Sequence, residues 1–124
     1  MRIEVLNWWK QAKRDLESAG HALEYGDYYL VAFLSHQAVE KALKAVYIKK
    51  FGELIKVHDI SFLARKNGLP EELVDECIRL NPAYIDSRYP DATGKLPVYS
   101  YKKEIAEPLF NAAKKVIKWV EKEL

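Results

Sequence analysis

The sequence predicts an all-α protein, an antiparallel up-and-down bundle of four main helices plus a short helix. Apolar residues recur every three or four positions along most of the chain, which is the period of a helix with one buried face. The two-residue alternation that is typical of a half-buried strand does not occur. The length of 124 residues is usual for one domain, so we expect residues 1–124 to form a single helical domain.

The first helix is predicted from Ile3 to Leu23. Its apolar face consists of Val5, Trp8, Trp9, Ala12, Leu16, Ala19 and Leu23. The charged residues of this segment fall on the opposite face, where we expect them to be solvated. Asp15 is the exception, because the helical period places it at the border of the apolar face, beside Trp8.

The second helix is predicted from Tyr28 to Ile48, with its end near Gly52. Gly26 is a typical helix stop, and Asp27 is a typical N-cap residue whose carboxylate accepts hydrogen bonds from free backbone N–H groups. Apolar residues occur almost all around this helix. The pattern indicates a central helix that packs on several sides.

Two shorter elements are predicted next. A short helix, Ile60–Arg65, follows Asp59, which we expect to act as its N-cap. Pro70 opens another helix, because proline is favoured at a first turn. The apolar residues of that helix are Leu73, Val74, Cys77 and Ile78. The pair Asn81-Pro82 should interrupt it, since proline removes a backbone hydrogen bond.

The segment from Ser87 to Ser100 is predicted to be a loop, because it holds two prolines and a glycine and has no helical period. A loop of this length in a small domain is more often functional than not. The last helix is predicted from about Lys102 to Leu124, with Pro108 marking a bend or a later start. Its apolar face consists of Ile105, Leu109, Ala112, Ala113, Val116, Ile117 and Val120.

Composition excludes several classes of protein. No apolar run reaches the roughly 18 residues that a membrane span needs, and the N-terminus lacks the features of a secretory signal, so we expect a cytoplasmic protein without membrane contact. The single cysteine, Cys77, excludes an internal disulfide and a thiolate metal cluster. The three histidines are scattered, so neither a metal nor a cofactor is predicted. The net charge of +2 comes from interspersed charges and by itself indicates no nucleic acid partner.

A polar stripe on the second helix is the strongest candidate site. Its members are His36, Gln37, Glu40, Lys41 and Lys44. Apolar neighbours should shield part of this stripe, where charges must be paired. Two alternatives remain open at this point. One is an internal salt-bridge network that includes Asp15, and the other is a pocket in which His36, Lys41 and Lys44 receive a phosphate while Glu40 orients a lysine.

Two other motifs are weaker candidates. The run Arg88-Tyr89-Pro90-Asp91 offers a guanidinium fork for phosphate or carboxylate and a tyrosine face for a base. The alternative is a loop anchor, with Arg88 bound to carbonyls and Tyr89 packed on the bundle. His58-Asp59 is more typical of a turn residue followed by an N-cap.

Together, these segments resemble the HEPN domain of prokaryotes, whose name denotes higher eukaryotes and prokaryotes nucleotide-binding. The most specific part is the run His36-Gln37-Ala38-Val39-Glu40-Lys41-Ala42-Leu43-Lys44. Arg88-Tyr89-Pro90-Asp91 supports it in the right order. The remaining matching residues are Trp8-Trp9-Lys10, Ala12, Asp15-Leu16, Tyr28-Tyr29, Ala32-Phe33, Ala45, His58-Asp59 and Tyr84. The resemblance covers nearly the whole chain.

The resemblance implies a homodimeric helical bundle that binds a nucleotide, or that works beside a minimal nucleotidyltransferase in a toxin–antitoxin-like pair. Carried over residue by residue, it implies nucleotide or anion contacts at His36, Lys41, Lys44 and Arg88. The residues implied in support are Asp15, Gln37, Glu40, His58, Asp59, Tyr89 and Asp91.

Other HEPN proteins are ribonuclease toxins that use an Arg and a His a short distance apart in a late helix. Here no histidine follows Arg88, because His58 is the last one in the chain. Arg14 and His21 have a suitable separation but lie on the first helix. We therefore predict a binding module rather than an enzyme. The alternatives are a ribonuclease that uses Arg14 and His21, and a dimeric scaffold without a ligand, with Tyr47, Phe51 and Trp119 as its apolar face.

Overall fold

The computed structural model describes residues 2–91 and 94–124, and every regular element within them is a helix. The elements are α1 (Ile3–Tyr25), α2 (Tyr28–Phe51), α3 (Ile60–Lys66), α4 (Glu71–Leu80), α5 (Ala83–Asp86), α6 (Pro97–Ser100) and α7 (Lys103–Glu123). The predicted bundle is confirmed, with α1, α2, α4 and α7 as the main helices and α3 as the short one. The single-turn helices α5 and α6 are additions to it.

Helix α2 lies at the centre, as predicted. It packs along α1 and α7 and also touches α3, α4, α5 and α6. Its buried residues occur on all sides, and many facing positions are alanines with no exposed surface, such as Ala12 and Ala19 on α1 and Ala42 on α2. Because small side chains let helix axes approach closely, this composition brings α1 and α2 together along their length.

The helix ends follow the sequence except at Asp27 and at Pro70, which occupies the N-cap position of α4 rather than its first turn. Gly26 and Gly52 adopt the left-handed conformation at φ 80° and 79° and end α1 and α2. Asp59 caps α3 by accepting hydrogen bonds from the backbone N–H groups of Ser61 and Phe62, as predicted. Asp27 occupies the N-cap position of α2, but its side chain accepts no capping hydrogen bond, so that prediction is wrong. Its ψ of 71° departs from the extended backbone that a side-chain cap requires.

The interruption after α4 is confirmed, because α4 ends at Leu80 and α5 starts only after Pro82. Ile78, one of the apolar residues predicted for this helix, is 47% exposed. The short helix buries a narrow face made of Val74, Cys77 and Leu80, and Ile78 lies outside it.

The predicted loop from Ser87 to Ser100 is wrong in its last four residues, which form α6. Pro97 is the first residue of this turn, where its fixed φ favours a helical start. Ala92 and Thr93 of the predicted loop lie outside the described residues. Pro108 lies inside α7, which starts at Lys103, so the alternative of a later start is excluded. Ile105 is 47% exposed rather than buried, because Ala106 and Leu109 fill the adjacent core positions.

No helix in the described part of the chain has the length and apolar character needed to span a bilayer.

Candidate functional site

The polar stripe of α2 separates into two groups in the structure, because residues one position apart on a helix point about 100° apart. Gln37 and Lys41 contact Asp15 of α1, together with Gln11. We call these four residues the Asp15 network. The second group surrounds Tyr84 and is called the Tyr84 cluster. Its members are Phe33, His36, Glu40, Lys44, His58, Tyr84 and Arg88.

In the Asp15 network, donors from the protein itself bind both carboxylate oxygens of Asp15. Lys41 Nζ donates to Asp15 Oδ2 at 2.9 Å, Gln37 Nε2 donates to the same oxygen at 3.3 Å, and Gln11 Nε2 donates to Oδ1 at 2.9 Å. Asp15 is only 6% exposed, so these hydrogen bonds replace its water. Lys41 is therefore occupied by an internal carboxylate, which is the arrangement that the salt-bridge alternative predicted.

Glu40 is the charged centre of the Tyr84 cluster. Its Oε2 accepts a hydrogen bond from Lys44 Nζ at 2.8 Å and lies 2.9 Å from His58 Nδ1. A carboxylate can only accept, so His58 Nδ1 carries the proton in this contact. Burial by itself would raise the pKa of Glu40, but the hydrogen bonds from Lys44 and His58 outweigh it and lower that pKa. The carboxylate is thus ionised and already holds two donors.

Tyr84 forms the aromatic centre. The ring of His58 stacks on it with centroids 4.5 Å apart, and the ring of His36 lies against it at 5.5 Å with a tilt of 44°. Asn81 fixes the corner before α5, because its Oδ1 accepts from the backbone N–H of Ile60 and its Nδ2 donates to Asp59 Oδ1. The break at Pro82 and this anchor together position Tyr84.

Arg88 packs between two aromatic rings. Its guanidinium carbon lies 4.3 Å from the centroid of Phe33 and 4.4 Å from that of Tyr84, which is a cation–π arrangement on both rings. Its Nε is buried and has no hydrogen-bond partner among the described residues. Arg88 thus ties its segment to α2. Tyr89, which is 48% exposed, and Asp91 lie at the surface.

His36 is fully buried, and neither of its ring nitrogens has a hydrogen-bond partner in the described part of the chain. Its Nδ1 lies 3.8 Å from Glu40 Oε1, beyond hydrogen-bond length. Burial lowers the pKa of His36 to about 4, although Glu40 opposes the shift, while Arg88 and His58 add to it. Asn81 lies nearby and, like Glu40, slightly raises the pKa of His36, although it forms no hydrogen bond of normal geometry with the ring. His36 is therefore neutral near pH 7.

An open depression of about 450 Å³ adjoins the cluster and is lined by His58, Asn81 and Tyr84, among others. A larger groove of about 690 Å³ lies between α5 and α7 and shares Pro82 and Asp86 with the depression. None of the predicted site residues lines the larger groove. Of the predicted site residues, His58 and Asp59 line the smaller depression, whereas His36 and Arg88 contact it only through Tyr84.

The structure brings His36, Glu40, Lys44, His58 and Arg88 together and places Gln37 and Lys41 in the other network. Sequence reasoning did not assign Phe33, Asn81 or Tyr84 to the site. The available signal was the spacing of Tyr84 four residues before Arg88. Across residues 2–91 and 94–124, no group of three His, Cys, Asp or Glu side chains could hold a metal ion.

The pair considered for ribonuclease chemistry lies elsewhere. Arg14 and His21 are exposed on α1, and the Arg14 guanidinium lies 3.1 Å from the Glu17 carboxylate. Nothing in this geometry brings the two side chains together on a substrate.

Comparison with known proteins gives a consistent result. The family model described as HEPN domain matches residues 5–123. TT1696 from Thermus thermophilus is 31% identical, with a TM-score of 0.91 over 99% of this chain and 100% of that one. ST0689, an archaeal HEPN homologue, is 35% identical, with a TM-score of 0.81 over 98% of each chain. An HEPN domain protein, TM0613 from Thermotoga maritima, is 33% identical, with a TM-score of 0.73 over 94% of this chain and 95% of that one. No curated protein matches the sequence.

Proposed function

Because the chain belongs to the HEPN domain family, we propose that it is a binding module that receives a phosphate-bearing ligand, such as a nucleotide, at the Tyr84 cluster. The observation that carries the proposal is the pair of buried polar groups without partners. Arg88 and His36 both contact Tyr84, and Tyr84 lines the open depression. Arg88 Nε is a donor, and the neutral ring of His36 has one N–H donor and one acceptor nitrogen. Buried donors are normally satisfied, and ligand oxygens would satisfy these two N–H groups.

The chemistry of the cluster suits such a ligand. Arg88 is a permanent cation with a planar fork, and the described residues place no carboxylate on it. His58 is about half exposed at the edge of the depression, where its ring, stacked on Tyr84, offers an aromatic surface for a base. Arg88 and His36 would contact the phosphate, and His58 would contact its outer side.

The two lysines predicted at the site receive a different role in this proposal. Lys41 is held by Asp15 and Lys44 by Glu40, so neither has a free charge for a ligand. Lys44 keeps Glu40 ionised, and Glu40 orients His58. We therefore propose that Lys44 supports the site without contacting the ligand and that Lys41 lies outside it.

The proposal is tested by titrating the protein with ATP, GTP and inorganic phosphate while following tryptophan fluorescence and thermal stability. A ligand that prefers the folded state raises the melting temperature. We expect a saturable shift in the parent protein and at least a tenfold weaker affinity in Arg88→Gln. Arg65→Gln, which removes an exposed arginine from α3, is the matched control and should bind as the parent does.

A flat response of the parent protein to all three compounds would overturn the proposed function. Equal affinities for the parent and for folded Arg88→Gln would overturn the site assignment alone. Arg88→Lys replaces Arg88→Gln if the latter does not fold, because it keeps the charge and removes the fork.

A second candidate function, protein–protein association, is favoured by exposed apolar residues. Among the described residues, seven of the twelve exposed large hydrophobic side chains lie between positions 78 and 105, namely Ile78, Ile85, Tyr89, Leu96, Val98, Tyr99 and Ile105. Ile78 and Ile85 line the smaller depression, and Tyr99 and Ile105 line the groove that adjoins it. Clustered apolar surface is typical of interfaces. We propose this surface, rather than Tyr47, Phe51 and Trp119, for a homodimer or a nucleotidyltransferase partner, since Tyr47 and Trp119 are partly buried. Light scattering on the titration samples shows whether the protein is dimeric.

A further inference from the structure

His36 is placed where its protonation depends on what else occupies the cluster. Its side chain has no exposed surface, and the groups that face it come from several elements. Glu40 faces it from its own helix, His58 from the loop after α2, Tyr84 from α5, and Arg88 from the segment after α5. Asn81, at the corner between α4 and α5, is the uncharged polar neighbour.

The charges around His36 do not favour a cation there. The negative charge of Glu40 is shared by Lys44 and His58, which both bind its Oε2. Arg88 is a nearby positive charge that no described carboxylate neutralises. A proton on His36 would therefore place a cation near Arg88 at a position that has no exposed surface. This keeps the imidazole neutral in the free protein.

An anion bound at Arg88 would change that balance. It would place a negative charge and acceptor oxygens beside ring nitrogens that have no hydrogen-bond partner among the described residues. An opposite charge within a few ångströms favours the protonated imidazole, and a proton would turn the second ring nitrogen into a donor.

We propose that the site takes up its anionic ligand together with a proton on His36, so that mild acid tightens binding. The proposal rests on the proposed function, because it needs an anion at the Tyr84 cluster. By linkage, a ligand that raises the proton affinity of His36 must bind more tightly when His36 is protonated. The expected affinity increases about tenfold for each unit by which the pH falls, between the pKa of His36 in the complex and its value in the free protein.

The experiment measures His36 directly. Ring signals of His36 are followed by NMR between pH 3.5 and 8, first in the protein alone and then with saturating sulfate, whose charge is constant in this range. ATP or GTP replaces sulfate if sulfate does not bind. We expect the pKa of His36 to move from about 4 in the free protein toward its usual value of 6.5 in the complex. Calorimetry at pH 5.5 in two buffers of different ionisation enthalpy should show net proton uptake.

Two variants distinguish the contribution of His36 to the pH dependence of binding from that of His58. His58→Gln should keep the pH dependence of binding, and His36→Leu should lose it. If His36→Leu does not fold, the NMR titration of the parent protein decides alone.

The results distinguish failure of the proposed function from failure of the proton-coupled binding. If neither sulfate nor either nucleotide binds at any pH, the proposed function fails and this inference fails with it. If an anion binds while the pKa of His36 stays unchanged, the proposed function stands and the proton-coupled binding is overturned. A pH dependence that disappears in His58→Gln would also overturn it, because the proton would then reside on His58.

Discussion

The Asp15 network and the Tyr84 cluster start from the same ingredients on the same helix, yet they differ in what is left unpaired. Each contains a buried carboxylate and a lysine of α2 that neutralises it. In the Asp15 network, three side chains donate hydrogen bonds to the carboxylate of Asp15 and satisfy it. In the Tyr84 cluster, a histidine and an arginine keep buried nitrogens without a partner among the described residues. A charged residue thus indicates a ligand site only when its partners inside the protein do not already satisfy it.

The largest expected effect comes from breaking the Glu40–Lys44 pair. Lys44→Ala leaves Glu40 buried with His58 as its remaining partner, and truncating one member of a buried pair typically costs about 3–5 kcal/mol of unfolding free energy. Chemical denaturation measures the loss. The double variant Glu40→Gln/Lys44→Met is the control, because it removes both charges and should lose much less. A loss below about 1 kcal/mol in Lys44→Ala would show that the pair is solvated.

Acid should weaken the Tyr84 cluster through His36. Its pKa falls from 6.5 to about 4 on folding, so the unfolded state binds more protons between these values. Stability is fully present above pH 6.5 and is lost as the pH falls toward 4. A pKa lowered from 6.5 to about 4 corresponds to about 3 kcal/mol of unfolding free energy. Glu40, whose pKa is lowered below its usual 4.5, loses its contribution only at more acidic pH.

The measurement is urea denaturation at a series of pH values from 7.5 to 4. His36→Leu should lack the decline that His36 causes in the parent protein. If both proteins lose stability equally over this range, the acid sensitivity belongs to other groups, and the contrast with the Asp15 network weakens.

The smallest expected effect comes from Asp15→Ala. Lys41 keeps about a quarter of its side chain exposed, so it can reach water when its partner is removed. The side-chain amides of Gln11 and Gln37 lose an acceptor, and because a hydrogen bond to a charged group contributes about 1.5–3 kcal/mol, we expect a cost of about 2 kcal/mol in unfolding free energy. Affinity for phosphate or nucleotide should not change, because the Asp15 network lies outside the proposed site. A tenfold loss of affinity in the folded Asp15→Ala protein would remove the distinction between the two regions.

The helices could be predicted because the apolar period repeats over many residues and therefore averages out local exceptions. The N-cap residues Asp59 and Asp27 show that the apolar period does not predict capping. Both precede a helix, and only the backbone of Asp59 allows its carboxylate to cap. Ile78 and Ile105 fit the helical period, but the exposure of each depends on how much of its helix the neighbours cover. That coverage is a property of the packed bundle.

The candidate site was less accessible to sequence reasoning. The polar stripe on α2 could be located from the spacing of His36, Glu40 and Lys44, but its division into two networks depends on residues far away in the chain. Asp15 reaches Lys41 from another helix, and His58 reaches Glu40 from a loop. The position of Tyr84 depends on the corner that Asn81 anchors to α3. No pattern of neighbouring residues in the sequence predicts these long-range contacts.

The Tyr84 cluster joins residues that lie far apart in the sequence, and this affects the order in which the bundle can fold. The α1–α2 hairpin is made of neighbouring segments and can form early, because closing a short loop has a small entropic cost. Phe33 and Arg88 meet only after the intervening helices have docked. We therefore expect the proposed anion site to be completed late in folding, and local opening of the segment after α5 would dismantle it while the hairpin persists. Ligand affinity then reports on the completion of the native bundle, and a bound anion would hold its last-formed part in place.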